Sequence, residues 1–330
     1  MTELAVAAFA AETGSHLVGE PRSARFARFA REFEEGPYLV ALEAKGIRWL
    51  ARSAPRFPRA LAAIFDAPVG LFLRGDADAE VLERPAVAVV GARSCSPYGA
   101  SVARALGREL AAAGLVVVSG LARGVDGEAH RGALEAGGTT VAVLGCGVDR
   151  IYPAGHAELA RRVTECGLIV SEYAPGVEPA PWRFPARNRI IAGLAQATVV
   201  VEARERSGAL ITADLALEEG REVFAVPGEI TSALSAGTNA LLRIGATALT
   251  SAGDVLESFG IAPAEPAAAE LTPGAELVLS RLRDGTAGAD ELSRTLGLAA
   301  GEVATALAEL ELASLVDEQA GVYRAAASSA

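Results

Sequence analysis

FPARNRIIAGLAQATVVVEARERSGALITADLALEEGREVFAVPG, residues Phe184–Gly228, decides the fold. A helical run over Arg187–Ala195 leads into Ala197–Val201, a continuous apolar stretch rich in Val. Such a run, with no polar alternation, fits a strand buried on both faces of a parallel sheet. A polar loop, Ala203–Ser207, follows, then Gly208 and a second helical run to Gly220. Val223–Val226 is the next apolar strand, stopped by Pro227-Gly228. In an αβαβ unit of this kind, ligands bind at the carboxyl ends of the strands. Arg187, Asn188 and Arg189 are expected at the opening of the first helix, where free N–H groups and arginine forks suit a phosphate. Arg204–Gly208 feeds the second helix start, with Ser207 as its cap. The alternative is that these arginines pair with Glu202 and Glu205 on the surface.

Working upstream, the same pattern repeats. Val87–Val90 is a buried strand, Gly91-Ala92-Arg93-Ser94 lies at its end, and a helix starts near Pro97. Leu115–Val118 is the next strand, followed by Ser119-Gly120-Leu121-Ala122-Arg123-Gly124-Val125-Asp126 and a helix carrying His130. Thr140–Leu144 and Leu168–Ser171 continue the series, with a helix around His156–Val163 between them. Strand, glycine loop and helix in repetition predict an α/β fold with a parallel sheet. The loops lack Gly-x-Gly-x-x-Gly and lack Gly-x4-Gly-Lys-Ser/Thr, so neither a dinucleotide fingerprint nor a Walker A loop is present. Each carries a single arginine among small residues, Arg93 and Arg123. Several such loops suit a chain of phosphates better than one nucleotide. In the proline-rich loop Glu172–Pro185, Trp182 and Phe184 flank Arg183. They stack bases in one reading and anchor the loop in the core in the other.

The chain has 330 residues and 51% hydrophobic content, enough for two or three domains. No apolar run approaches the ~20 residues of a membrane span, and the first residues lack a secretion signal's charged and apolar regions. Cys95, Cys146 and Cys166 are far apart, which argues against a zinc site or a disulfide framework and for a reducing cytoplasm. The net charge is −11, but residues 265–330 hold 4 Arg against 11 Asp and Glu. The rest of the chain is therefore close to neutral, and all its basic residues except Lys45 are arginine. Residues 1–84 are expected to form a mainly helical satellite domain, with a short helix at Arg59–Phe65 followed by a strand at Val69–Arg74. In it Arg22, Arg25, Arg28 and Arg31 line one helix face, solvated or in contact with nucleic acid. Residues 85–260 form the main domain, 261–270 a Pro/Ala linker, and 271–330 three helices and a hairpin in winged-helix order. The recognition helix of that module carries Glu302, Glu309 and Glu311 and no basic residue. A role in protein binding or regulation is expected for it rather than DNA reading.

The segments VAVVGARSCSPYG, SGLARGVDGEAH, FPARNRIIAGL, VVVEARERSGALITA, VFAVPG and GTNALLRIGA, in that order, resemble the DNA-processing protein A family (DprA, also called Smf). The likeness spans residues 87–247. It implies an extended Rossmann-like sheet and binding of single-stranded DNA without strong sequence preference. It also implies protection of the incoming strand, loading of RecA during natural transformation, and action as a homodimer. No cofactor, metal or catalytic residue is implied, and no membrane partner. The matching DNA-contact positions are Gly91, Arg93, Ser119, Gly120, Arg123, Arg187, Asn188 and Arg189. Where many members have Lys near these loops, this chain has only Arg. A rival reading is a nucleotide phosphoribohydrolase, with Asp126 and His130 as an acid/base pair. The glycine run and glutamate of that group's loop are missing from Ser207–Thr212. A third, a duplex-DNA repressor acting through the tail, is disfavoured by the charge of its helix.

Overall fold

The computed structural model describes residues 2–13, 23–262, 271–313, 315–319 and 321–325. Arg22 and most of the expected linker lie outside the described residues. Two compact units divide the chain, residues 1–261 and 262–330.

The first unit opens with helices α1 (Glu3–Thr13), α2 (Ala24–Glu32) and α3 (Glu35–Glu43). Strand β1 (Ile47–Ala51), helix α4 (Arg59–Ala62) and strand β2 (Gly70–Arg74) follow. The repeating core then runs β3 (Ala86–Val90), α5 (Pro97–Ala112), β4 (Val116–Ser119), α6 (Val125–Glu135), β5 (Thr140–Val143), α7 (Ala157–Cys166) and β6 (Leu168–Ser171). It continues through α8 (Arg183–Leu194), β7 (Ala197–Val200), α9 (Gly208–Glu218), β8 (Glu222–Ala225), α10 (Ala236–Arg243), β9 (Thr247–Ala248) and α11 (Ala252–Ser258). Nine strands form one sheet in the order β1-β2-β6-β5-β4-β3-β7-β8-β9. All pairs from β6 to β9 are parallel, and β1 and β2 join antiparallel. The direction of strand order reverses between β3 and β7, and that is where an open α/β sheet offers a crevice.

The central strands are buried on both faces because helices cover both. Ala88, Val90, Val118, Val143 and Val170 pack with Ile190, Ile191 and Leu194 of α8 and with Ala213 of α9. Ala142 and Ile169, one residue out of phase, join Leu134 of α6, Leu159 and Val163 of α7, and Leu4 of α1. Helices α5 and α6 approach unusually closely: a Cβ on Gly107 meets the Ala129 carbonyl, and one on Gly132 meets the Arg104 carbonyl.

Two expectations need correction. The strand expected at Val69–Arg74 is present as Gly70–Arg74, but Ile47–Ala51, not expected as a strand, pairs with it, and that pair extends the main sheet beyond β6. Trp49 lies across Gly70, where a Cβ would strike its ring, and Phe72 is fully buried on the sheet. The hairpin therefore gains core contacts from the main sheet, and residues 1–261 form one compact unit. The arginine stripe of α2 is exposed, with Arg28 paired to Glu32 and Arg25 over the Phe9 ring. Helix α8 begins at Arg183 rather than Arg187. Pro185 fits its first turn because the amides there have no intrahelical partner. Arg187, Asn188 and Arg189 thus sit in the second turn, away from the open N–H groups.

The second unit runs α12 (Pro273–Arg283), β10 (Ala287–Gly288), α13 (Ala289–Leu296), α14 (Ala300–Leu312), β11 (Val316–Gln319) and β12 (Val322–Ala325). Its own core joins Val278 and Leu282 to Leu292, Val303, Leu307, Leu310 and Val316. The three short strands pair in the order β10-β12-β11, which completes a winged helix.

Candidate nucleic-acid interface

Two adjoining cavities lie at the carboxyl ends of the strands, the smaller where the strand order reverses and the larger beside it over the loops after β3, β4 and β5. The larger, about 640 Å³, is lined by Arg93, Arg123, Arg131, Arg187, Tyr152, Phe184 and His156 among others. Four of its eleven lining residues are arginine and none is acidic, so it presents positive potential to an anion. The smaller, about 230 Å³, shares Arg93, Ala122, Phe184 and Arg187 with it and adds Asp126, Asn188, Ser207 and Thr212.

Arg93 leaves the end of β3 exposed, its guanidinium 5.0 Å from the Phe184 ring centroid. Tyr152, 45% exposed, stacks on the other aromatic partner of that pair: the Tyr152 and Phe184 centroids are 5.3 Å apart at 29°. Arginine and two rings thus form a continuous platform at the cavity rim. Trp182 lines neither cavity and lies against Arg183 instead, 4.6 Å from its centroid to the guanidinium carbon. Sequence reasoning missed Tyr152; an aromatic residue before Pro153 at the end of a strand-exit loop was its only signal.

Arg123 is exposed on the loop after β4. The loop is shaped by Leu121, a non-glycine residue at φ 57°, held in the core with its carbonyl accepting from His156 Nδ1 at 3.0 Å. Gly120 is required beside it because a Cβ there would collide with the Arg187 guanidinium. Asp126 Oδ2 accepts from the Gly120 and Ala122 N–H groups at 3.1 and 3.4 Å. Burial pushes the Asp126 carboxyl up from its ordinary pKa, against the pull of Arg187 and the two amides. Arg187 is 4% exposed and donates to the carbonyls of Gly120 (2.7 Å) and Val143, with Nε reaching Asn188 Oδ1 at 3.1 Å. Its own pKa is lowered by burial, with Asp126 opposing.

The expected residues therefore divide. Gly91, Arg93, Gly120, Arg123, Arg187 and Asn188 line the two cavities. Ser119 is fully buried, its hydroxyl donating to Val89 O at 2.7 Å, and lines neither. Arg189 also lines neither. It donates to both oxygens of the buried Glu172 at 3.1 and 2.6 Å and to Asp66 at 2.9 Å. Burial opposes its charge, but the two carboxylates outweigh that and raise its pKa.

Several amides of the glycine loops are already taken within the protein, those of Gly120 and Ala122 by Asp126 and that of Ala92 by the Glu202 carbonyl. Glu202, 5% exposed, accepts from the Ser96 N–H at 2.8 Å and the Ser96 hydroxyl at 2.5 Å. Its carboxylate occupies the N-terminus of α5, where a dinucleotide fold would seat a phosphate. Gly99 has no Cβ because Glu202 fills that space. Asp126 and His130 form no acid/base pair. His130 is fully buried with Nδ1 2.7 Å from Thr140 Oγ1, and burial lowers its pKa to about 3.

Among known proteins, the family model described as DNA recombination-mediator protein A matches residues 48–260, and the DprA winged helix domain matches residues 262–321. The DNA processing protein DprA of Streptococcus pneumoniae is 48% identical over 237 residues, 71% of this chain and 78% of that protein. Protein Smf of Escherichia coli is 39% identical over 311 residues, 91% and 82% of the two chains. The crystal structure of the pneumococcal DprA superposes with a TM-score of 0.66 at 39% identity, covering 77% of this chain and 91% of that one. A Helicobacter pylori DNA processing protein A, described for its single-stranded DNA binding mode, gives 0.56 at 33% identity over 61% and 92%. With one family model over the parallel-sheet unit and a second over the winged helix, the chain belongs to the DNA recombination-mediator protein A family, DprA/Smf.

Proposed function

We propose that this protein binds single-stranded DNA along the arginine-lined cavity, protects the incoming strand, and loads a RecA recombinase onto it during natural transformation. The observation that carries the DNA reading is the larger cavity itself: four arginines, no carboxylate, and the Arg93–Phe184–Tyr152 platform at its rim. The arginines meet phosphates while the rings stack bases, a combination that tolerates any sequence. The reading agrees with the binding described for the Helicobacter pylori relative. RecA loading and a homodimeric state rest on the family resemblance alone, and a cytoplasmic location on the scattered cysteines. Among the described residues no helix is long and apolar enough to cross a membrane. The acidic winged helix, without a basic residue on α14, is assigned to protein contact or regulation.

Fluorescence anisotropy of a labelled oligo-dT at several salt concentrations tests the proposal. Each phosphate neutralised on a single strand adds about −0.7 to the slope of log K against log salt. Arg93, Arg123 and Arg187 together give a slope of roughly −2. Binding that ignores salt, or no binding, overturns the proposal.

A further inference from the structure

Arg204 and Arg206 stand on the turn after β7, across the strand reversal from Arg93. Both are exposed, and among the described residues neither side chain has an ion pair or a hydrogen bond. Other arginines at this edge of the sheet are already engaged. Arg187 is buried on carbonyls, Arg189 is held by Glu172 and Asp66, and Arg183 lies against Tyr173 and Trp182. The β7 turn is continuous with the crevice, because its next residues, Ser207 and Gly208, line the smaller cavity. On its other side it meets the turn after β8. The Ala203 N–H donates to Leu234 O at 2.8 Å, and the Gly237 N–H to Ala203 O at 2.7 Å. A Cβ on Gly237 would strike the Ala203 and Arg204 carbonyls, so the start of α10 is pressed against this turn. The two arginines are thus presented to solvent from backbone that is fixed on both sides. The opposite side of the crevice is unlike it. There the loops after β5 and β6 carry exposed carboxylates: Asp149 accepts from the Gly176 N–H at 2.8 Å, and Glu178 neutralises Arg150 at 3.3 Å.

We infer that the bound strand leaves the crevice over the β7 turn, where Arg204 and Arg206 each grip one backbone phosphate. The inference rests on the single-strand reading above. A strand longer than the crevice must run out over one of its sides. The carboxylates after β5 and β6 repel phosphates on one side, and two free guanidinium groups attract them on the other. A guanidinium fork takes two phosphate oxygens at once and reads no base, so this exit suits any sequence. Glu205, exposed between the two arginines, pairs with neither and opposes the strand, but it is outnumbered.

Oligo-dT of increasing length, from about 5 to about 20 nucleotides, tests this by anisotropy at several salt concentrations, since only the longer oligomers must leave the crevice. With the wild-type protein the slope of log K against log salt is expected to steepen with length, from roughly −2 to roughly −3.5. In Arg204→Ala/Arg206→Ala the slope for the longest oligomer is expected to return to roughly −2, with about a tenfold loss of affinity near physiological salt. The shortest oligomer that binds is expected to bind this variant as it binds wild type. The melting temperature is expected to be unchanged, because neither side chain has a partner to lose. Arg204→Lys/Arg206→Lys is expected to recover most of the slope, since each ammonium still meets a phosphate. Glu205→Gln is expected to tighten the longest oligomer about twofold. Unchanged affinity and slope for the longest oligomer in the double alanine variant overturns the exit path and leaves the single-strand reading standing. An equal loss at every length places both arginines within the crevice and overturns the path as well. Failure of the wild-type protein to bind any length overturns the single-strand reading itself.

Discussion

Arg93 makes no ion pair among the described residues and lies over Phe184, whereas Arg189 is gripped by Glu172 and Asp66. Replacing Arg93 or Arg123 by Ala is expected to flatten the salt slope by about 0.7 each while leaving the melting temperature within a degree or so of wild type. Arg189→Ala should act in the opposite way. It removes the guanidinium that both oxygens of the buried Glu172 carboxylate accept from, a loss of about 3–5 kcal/mol, to be read as an early melt by calorimetry. The two arginines look equivalent in sequence, each beside small or polar neighbours. Arg93 was legible because it directly follows an apolar strand. The fate of Arg189 was not, because its partner Asp66 is 123 positions away. His130 supplies a pH-dependent expectation. Its folded pKa is depressed to about 3, so the unfolded chain takes up the proton first as the pH falls below about 6.5. Stability is complete above that value and declines toward acid, by about 2 kcal/mol at pH 5. Asp126, with its raised pKa, contributes with the opposite sign, so the comparison is between wild type and His130→Asn in urea titrations at both pH values.

At the level of elements, the α5 N-terminus carries the main lesson. The sequence places a glycine loop after β3, and that pattern predicts an anion held by backbone amides. Glu202, at the end of β7, reaches across the point of strand reversal and takes that position itself. Nothing local marks Glu202 for this role; only the pairing of β3 with β7 in register, Val90 opposite Val200, brings the two loop ends together. Glu202→Ala should cost ~1–3 kcal/mol by leaving the half-buried Ser96 groups without their acceptor, measured as a lower urea midpoint. The strands β3 to β8 were readable from unbroken Val-rich runs. The start of α8 was not, because Pro185 looked like a boundary and is in fact compatible with a first turn. Strand β1 was hidden by its length and by Trp49, whose packing on Gly70 depends on a partner strand that local pattern does not reveal.

For the whole molecule, the chain divides after residue 261, beside a Pro- and Ala-rich stretch, and residues 1–261 form one compact unit. The second unit has its own closed core, so residues 271–330 alone are expected to unfold cooperatively in a thermal melt. Residues 1–261 alone should hold an oligonucleotide within about twofold of the full chain at physiological salt. The acidic tail then acts only through charge screened beyond ~8 Å. A loss of binding in that fragment, seen by anisotropy, would move the winged helix into the DNA interface.

Because Glu202 holds the Ser96 amide and Asp126 those of Gly120 and Ala122, a free mononucleotide meets fewer amides for its phosphates than a dinucleotide fold would offer. A polymer is held differently, by several weak handholds whose benefit multiplies only when they are joined on one chain. A surplus of ATP or dinucleotide in solution should therefore displace almost none of the bound strand, so a protein built this way stays available for DNA amid the abundant small nucleotides of a growing cell.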